Sequence, residues 1–130
     1  MSTIRKYIIV DDDYFNNILS TMLIENALGK VDIRTFQVPE KALEFIQDEF
    51  IKYLGPTIVF LDINMPTLNA WEFMEEYEKF SEAVKKQISI YIVSSSVDRH
   101  DKDKAEANKY ITGFISKPLE HETILSVAGV

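Results

Sequence analysis

Cysteine is absent from this chain of 130 residues. A disulfide framework, a thiolate metal site and a cysteine nucleophile are therefore excluded, and the redox compartment is left open. The sequence also lacks an apolar run long enough to span a bilayer, and its short, polar N-terminus has no signal-peptide core. We expect a cytoplasmic protein with no membrane partner.

Positive charge is also scarce, with 14 lysine and arginine residues against 21 acids and a net charge of −7. A phosphate backbone requires a basic patch, so this balance disfavours nucleic acid and anionic membrane as partners. A hydrophobic fraction of 46% without low-complexity sequence favours a globular fold, and the length suggests one domain over residues 1–130.

Short apolar runs alternate with helical patterns along the chain. The apolar runs cover residues 7–10, 31–36, 57–61, 88–93 and 113–116, and the helical patterns cover residues 14–28, 39–51, 69–80, 98–109 and 119–128. Strands that are apolar throughout belong to parallel sheets covered on both faces. Five β-then-α units predict an α/β fold with a doubly wound five-stranded parallel sheet, of flavodoxin-like (βα)5 type, because a barrel of eight units needs more chain.

Two of these segments have a distinctive pattern. The run 31–36 alternates apolar and polar residues, which is typical of a strand near a sheet edge. The first helical pattern is followed by Gly29 as a stop, and its apolar residues recur at helical spacing. These residues are Phe15, Ile18, Leu19, Met22 and Leu23.

Polar residues follow the predicted strands at the point where each strand ends. Asp11, Asp12 and Asp13 follow the first strand, Asp62 ends the third, Ser94 the fourth and Lys117 the fifth. The carboxyl ends of parallel strands meet at one rim of the sheet, where ligands of such folds bind. Crowded carboxylates repel each other, so we expect a hard cation there, and Mg²⁺ suits oxygen ligands and bridges to phosphate.

This set of side chains predicts phosphoryl chemistry. Asp62, with its charge partly neutralised, could attack phosphorus and become an aspartyl phosphate. Lys117 would supply a positive charge to one phosphoryl oxygen, and the Ser94 hydroxyl could donate to another. Each residue alone has a simpler explanation, because Asp favours helix N-caps and lysines are usually solvated. Asp13 is the cap candidate, and His100 and His121 are expected on the surface.

Four motifs, in order, make the chain similar to the response-regulator receiver domains of two-component signalling, the CheY-like family. They are IIVDDD at residues 8–13, VFLDINMP at 59–66, IYIVSSS at 90–96 and FISKP at 114–118. The resemblance covers nearly the whole chain and implies that Asp62 is the phosphoacceptor. It also implies a Mg²⁺ site formed by Asp11, Asp12, Asp62 and the backbone carbonyl of Asn64, with Asp12 the more direct ligand and Asp11 acting largely through water.

The resemblance also implies a switch. Ser94 matches the hydroxyl that moves to the phosphoryl group, Phe114 matches the aromatic switch, and the Lys117–Pro118 bond is often cis in the family. Two positions depart from the usual pattern. Ala70 stands where glycine is common, at the turn into the third predicted helix, and Ser95 stands where alanine or glycine is more usual.

The implied partners are a sensor histidine kinase or histidine phosphotransfer protein as phosphodonor, and an effector protein. By the resemblance, the effector would bind the fourth predicted helix, the fifth strand and the fifth helix, unless the phosphoryl group is relayed onward. Residues 98–109 are weakly amphipathic, which suits a mobile fourth helix. We expect a stand-alone receiver that is not an enzyme beyond catalysing its own phosphorylation and dephosphorylation.

Two other functions stay open from the sequence. One is a pseudo-receiver, a binding module that is never phosphorylated, although such domains usually lose one of the acids, the hydroxyl or the lysine. The other is a Mg²⁺-dependent phosphohydrolase of the haloacid-dehalogenase type. That class normally needs a second Asp two residues after the nucleophile, where this chain has Asn64.

Overall fold

The computed structural model of the protein describes residues 6–49, 55–96 and 98–129, and within them it has five strands and six helices. The strands are β1 (Lys6–Val10), β2 (Asp32–Phe36), β3 (Thr57–Asp62), β4 (Ile88–Ser94) and β5 (Ile111–Ser116). The helices are α1 (Tyr14–Leu28), α2 (Pro39–Glu49), α3 (Ala70–Tyr77), α4 (Glu82–Lys85), α5 (Arg99–Ala107) and α6 (His121–Ala128).

The five strands form one parallel sheet in the order β2-β1-β3-β4-β5. This is the order of the flavodoxin-like doubly wound fold, which confirms the fold predicted from the sequence. Strand β2 lies at the edge of the sheet, as its alternating pattern predicts, and its five residues are half-buried or exposed.

Both faces of the sheet are covered by helices. One apolar cluster combines alternate residues of the central strands with side chains of α2, α3 and α5; its strand members include Ile8, Val10, Val59 and Leu61. The intervening residues, among them Tyr7, Ile9, Ile58 and Phe60, join a second cluster with Ile24 of α1 and Ile124 of α6. Because successive side chains of a strand point to opposite faces, burial on both faces explains the continuous apolar runs.

Several boundaries differ from the predicted ones. The helix predicted over residues 69–80 ends at Tyr77, and the short helix α4 that follows was not predicted. Helix α4 is held by Lys85, whose buried ammonium donates to the Glu78 carbonyl (2.7 Å) and the Tyr110 hydroxyl (3.1 Å). Strand β5 begins two residues earlier than predicted, at Ile111. Residues 50 and 51 of the predicted second helix lie outside the described residues.

Helix α1 has the predicted bounds, and its outward face is apolar. Asp13 caps its N-terminus, accepting from the N–H groups of Phe15 (3.0 Å) and Asn16 (3.2 Å), and Gly29 ends it with φ 83°. The outward face of α1 is apolar and consists of Tyr14, Phe15, Ile18, Leu19 and Met22, which are between 42% and 77% exposed. The buried residues of this helix are Asn17, Ser20 and Ile24.

Candidate functional site

The site lies between β1 and β3, at the point where the strand order of the parallel sheet reverses. Val10 pairs with Leu61 in the parallel register, so the residues that follow them in the chain, Asp11 and Asp62, leave neighbouring strands side by side. In a sheet of this strand order the crevice at β1 and β3 is the place where ligands bind. The fold therefore brings the predicted carboxylates to one rim.

Three carboxylates form a cluster at this rim. Asp11, Asp12 and Asp62 each offer an oxygen, and these oxygens lie within 4.8 Å of one another. Asp11 is buried, Asp12 is exposed and Asp62 is half-buried, so the cluster opens to solvent on the side of Asp12. A set of carboxylate oxygens with one solvated member fits Mg²⁺, which takes oxygen ligands and keeps several waters. Asn64 is exposed, two residues beyond Asp62.

Lys117 joins the two inner carboxylates. Its ammonium lies 2.8 Å from Oδ2 of Asp11 and 3.0 Å from Oδ1 of Asp62. Burial lowers the pKa of Lys117, but the hydrogen bonds to Asp11 and Asp62 outweigh burial, and the pKa is raised overall. The lysine is therefore charged across the neutral pH range and partly offsets the repulsion between the acids.

For Asp62, burial has the largest effect on the pKa. Burial raises its pKa, the hydrogen bond from Lys117 lowers it, and the neighbouring charge of Asp11 raises it again, so the pKa lies above the ordinary value of an aspartate. The environment thus disfavours the ionised form of this carboxylate. A cation or a positively charged ligand bound beside Asp62 would therefore stabilise the ionised carboxylate.

Ser94 ends β4 beside these residues and is buried. Its hydroxyl donates to the Ser96 carbonyl (2.9 Å) and accepts from the Ser96 N–H (3.2 Å), so it is engaged within its own loop. The Ser94 carbonyl accepts from the Lys117 N–H (2.8 Å), which ties the ends of β4 and β5 together. Ser95 is exposed.

Phe114 lies in β5, three residues before Lys117. It is half-buried and packs against the cluster that contains Ile90 and Ile92. It also lines a groove of about 220 Å³ between α5 and β5, together with Ala105 and Ile111. The ring therefore has the core on one side and an open groove on the other.

Ala70, one of the two departures from the pattern of the resemblance, is accommodated locally. Ala70 is fully buried as the first residue of α3, and its N–H donates to the Ile63 carbonyl (3.0 Å). Asn69 precedes it as an N-cap that exchanges hydrogen bonds with Glu72 in a capping box.

The Lys117–Pro118 peptide bond is cis. His100 and His121 are exposed, as predicted.

Two residues of the site were missed by the sequence analysis. Asn16 donates from Nδ2 to Oδ2 of Asp11, and Asn17 donates from Nδ2 to the Asp11 carbonyl (2.9 Å). The signal for them is the pair of asparagines inside an apolar helical pattern, since Asn is disfavoured in helix interiors unless it has a hydrogen-bonding role. Oδ1 of Asn17 is buried and has no partner among the described residues.

Comparison with known proteins identifies the family of the chain. A family model for the response regulator receiver domain matches residues 7–128. A response regulator receiver protein from Dyadobacter fermentans is 32% identical, with a TM-score of 0.84, and the match covers 96% of this chain and 98% of that one. A two component response regulator from Cytophaga hutchinsonii is 26% identical, with a TM-score of 0.90, covering 98% of this chain and 96% of that one.

A more distant structure shares the fold. The chemotaxis response regulator CheY4 of Vibrio cholerae is 21% identical, with a TM-score of 0.73 and coverage of 98% of each chain. No curated protein sequence matches the chain. Within the described ranges, none of the helices has the length and apolar character needed to cross a membrane. The match over residues 7–128 includes the acids, Ser94, Phe114 and Lys117, and it shows that the chain belongs to the response regulator receiver domain family, whose members are signalling domains rather than classical enzymes.

Proposed function

We propose that the protein is a phosphorylatable receiver of a two-component phosphorelay. It accepts a phosphoryl group on Asp62 from a sensor histidine kinase or a histidine phosphotransfer protein. The observation that carries this proposal is the ammonium of Lys117 placed between the carboxylates of Asp11 and Asp62 at the rim of the sheet. The proposal treats residues 1–130 as one receiver domain that works in the cytoplasm.

The cluster of acids would hold Mg²⁺, the ion that receiver domains generally bind in an acidic pocket. Asp12 and Asp62 offer carboxylate oxygens, and the Asn64 carbonyl is the further ligand we assign. Both oxygens of Asp11 already accept hydrogen bonds from the protein, which favours a role through water. The bound ion would neutralise charge on Asp62 and on the incoming phosphoryl oxygens.

In the transfer step, a carboxylate oxygen of Asp62 attacks phosphorus, and an O–P bond replaces the P–N bond of the donor phosphohistidine. The leaving imidazole takes a proton from solvent, and the product is an aspartyl phosphate. Lys117 donates a charge-assisted hydrogen bond to a phosphoryl oxygen, where the negative charge then lies. Positioning and charge stabilisation account for most of the catalysis of such transfers.

The outward face of α1 is the surface we assign to the phosphodonor. Helix α1 begins directly after Asp11, Asp12 and Asp13, so this apolar face borders the site. A contiguous exposed apolar patch of this kind marks a protein contact more often than an ordinary surface. A donor seated there would bring its phosphohistidine to the rim and exclude water from the reacting groups.

Output would use a second surface. After phosphorylation, the Ser94 hydroxyl would exchange its hydrogen bond to the Ser96 carbonyl for one to a phosphoryl oxygen. Movement of the Ser94 side chain would leave space into which the Phe114 ring turns. Helix α5 has Ala105 as its buried residue, so few apolar contacts hold it in place. We assign effector binding to the face of α5, β5 and α6, with onward phosphoryl transfer as the other outcome.

The test is incubation with Mg²⁺ and acetyl phosphate, followed by intact mass, with Asp62→Asn as the matched control. We expect a gain of one phosphoryl group in the wild type, and no gain without Mg²⁺ or in the variant. A wild type that takes no phosphoryl group would point to the binding-module function. A phosphorylated Asp62→Asn variant would place the acceptor elsewhere.

A further inference from the structure

The buried carboxylate of Asp11 accepts three hydrogen bonds from the protein. Its Oδ1 accepts from the Asp13 N–H (2.9 Å), and its Oδ2 accepts from Lys117 (2.8 Å) and from the side-chain amide of Asn16. The Asp11 carbonyl is occupied as well, by Asn17. Asp11 is therefore fixed to the first turn of α1 and to Lys117 at the same time.

Asn16 and Lys117 both donate to Oδ2 of Asp11, and this matters because Lys117 binds different groups before and after phosphoryl transfer. Before transfer, the lysine bonds both Asp11 and Asp62. After transfer, the negative charge that it should meet lies on the phosphoryl oxygens. Asp11 is 3% exposed, so bulk water replaces a donor lost from Oδ2 poorly, and a buried carboxylate oxygen left without a donor is strongly disfavoured.

We propose that Asn16 is a positioning residue that keeps Oδ2 of Asp11 satisfied and so releases Lys117 to the phosphoryl group. The proposal rests on the proposed function, because it concerns transfer to Asp62. Asn16 does not touch the reacting atoms and acts through Asp11. Without its amide, Lys117 is the side-chain donor on which Asp11 depends, and the lysine stays bound there.

Asn17 has a different, structural role. It is buried, and it bonds the main chain of Asp11 rather than the carboxylate. It fixes where the end of β1 meets α1 and cannot take the place of Lys117 at Oδ2. The proposal therefore concerns Asn16 and leaves Asn17 as a structural contact.

The test compares Asn16→Leu, which keeps the size of the side chain and removes the donor, with Asn16→Gln, which keeps an amide. The matched control is Asn26→Leu, at an exposed position of the same helix. At saturating Mg²⁺ we expect Asn16→Leu to be phosphorylated by acetyl phosphate at least about tenfold more slowly, because a hydrogen bond to an ionised carboxylate is stronger than a neutral one. Asn16→Gln should recover part of this loss, and Asn26→Leu should match the wild type.

A second readout needs neither metal nor phosphoryl group. In protein labelled with ¹⁵N-lysine and stripped of metal, the exchange of the Lys117 ammonium protons with solvent is followed by NMR. The signal is assigned by its absence in Lys117→Met. We expect slower exchange in Asn16→Leu, because Asp11 holds the lysine more tightly. Asn16→Ala and the thermal midpoint of each variant separate this effect from a loss of folding.

Equal phosphorylation rates in Asn16→Leu and the wild type would overturn the proposal. So would a change in the Mg²⁺ dissociation constant large enough to account for the slower rate, since Asn16 would then act on the metal. If the wild type takes no phosphoryl group, the proposed function fails on its own. An unchanged Lys117 exchange rate in Asn16→Leu would separately show that Asn16 does not control the lysine.

Discussion

Helices α1 and α3 both carry apolar residues at the same helical spacing, yet α3 buries this stripe, whereas α1 exposes it and buries a second apolar stripe around Ile24. In α3 the apolar residues Phe73, Met74 and Tyr77 are at most 2% exposed and pack on the sheet. In α1 the residues with the same spacing face solvent, and Phe15 is 77% exposed. An apolar stripe thus predicts a helix without deciding which face the helix buries.

The site explains the orientation of α1. This helix starts directly after the acids and turns Asn16 and Asn17 towards Asp11, where both amides find partners. The rotation that allows these contacts also places the apolar stripe outside and leaves Oδ1 of Asn17 buried without a partner among the described residues. Helix α3 has no such demand, because its cap residue Asn69 bonds Glu72 at the surface. In α1 these polar contacts accompany burial of the apolar face that contains Ile24, Ala27 and Leu28, while the other apolar face stays exposed.

The largest expected difference between the two helices is in stability. Phe73→Ala in α3 removes a fully buried ring and should lower the free energy of unfolding by about 3–5 kcal/mol. Phe15→Ala in α1 should change it by no more than about 0.5 kcal/mol, because the ring is mostly exposed. Urea unfolding of both variants measures the difference. Similar costs for the two substitutions would mean that the outward face of α1 is packed in solution.

The next effect concerns protein contact. Ile18→Glu should reduce phosphoryl transfer from a phosphorylated histidine phosphotransfer protein by about tenfold or more, since a charge at the centre of an apolar contact disrupts binding. Phosphorylation by acetyl phosphate, which needs no docking, should be unchanged. Lys79→Gln makes the same change in net charge next to α3 and serves as the control. Equal losses with both phosphodonors would place the defect in the site rather than in docking.

The third effect is a pH dependence at the acid cluster that α1 borders. The folded-state pKa of Asp62 is raised, so the stability linked to its proton is present below the unfolded value of 3.8 and is lost as pH rises through the folded pKa. Asp62→Asn lacks this loss, so in metal-free buffer it should gain stability relative to the wild type as pH rises across that interval. Thermal midpoints at a series of pH values test this. A gain as pH falls would reverse the assigned shift.

The smallest effect compares the two caps. Asp13→Ala in α1 and Asn69→Ala in α3 should each cost about 1 kcal/mol of unfolding free energy, since each removes a side chain that accepts from the first turn. The Asp13 N–H that bonds Asp11 is retained in the alanine variant, so Mg²⁺ affinity should hold. A large loss of affinity in Asp13→Ala would show that the cap also shapes the acid cluster.

Much of the fold could be predicted from the sequence. The continuous apolar runs predicted the parallel sheet, because both of its faces are covered, and the alternating run at residues 31–36 predicted the edge strand found at Asp32–Phe36. Helix α4 could not be predicted, because four residues carry no period and its contacts, such as the one from Lys85 to Tyr110, join distant parts of the chain. The facing of α1 was equally hidden, since it depends on partners across the site.

The site, like the fold, could be predicted from the sequence only in part. Asp11, Asp12, Asp62 and Lys117 meet as predicted, because the ends of parallel strands share one rim. The roles of these four residues stay predictions, as do those of Ser94, Phe114 and the Asn64 carbonyl. Asn16 was missed, since a side-chain amide becomes part of a site only when the rotation of its helix is known.

The central claim is that Asp62 carries the phosphoryl group, and locating the modified residue tests it most directly. After phosphorylation by acetyl phosphate and Mg²⁺, borohydride reduces an aspartyl phosphate to homoserine, which peptide sequencing by mass spectrometry can place. The account predicts homoserine at position 62 and at no other aspartate. Homoserine at position 11, 12 or 13, or none at all in protein shown to be phosphorylated, would contradict it.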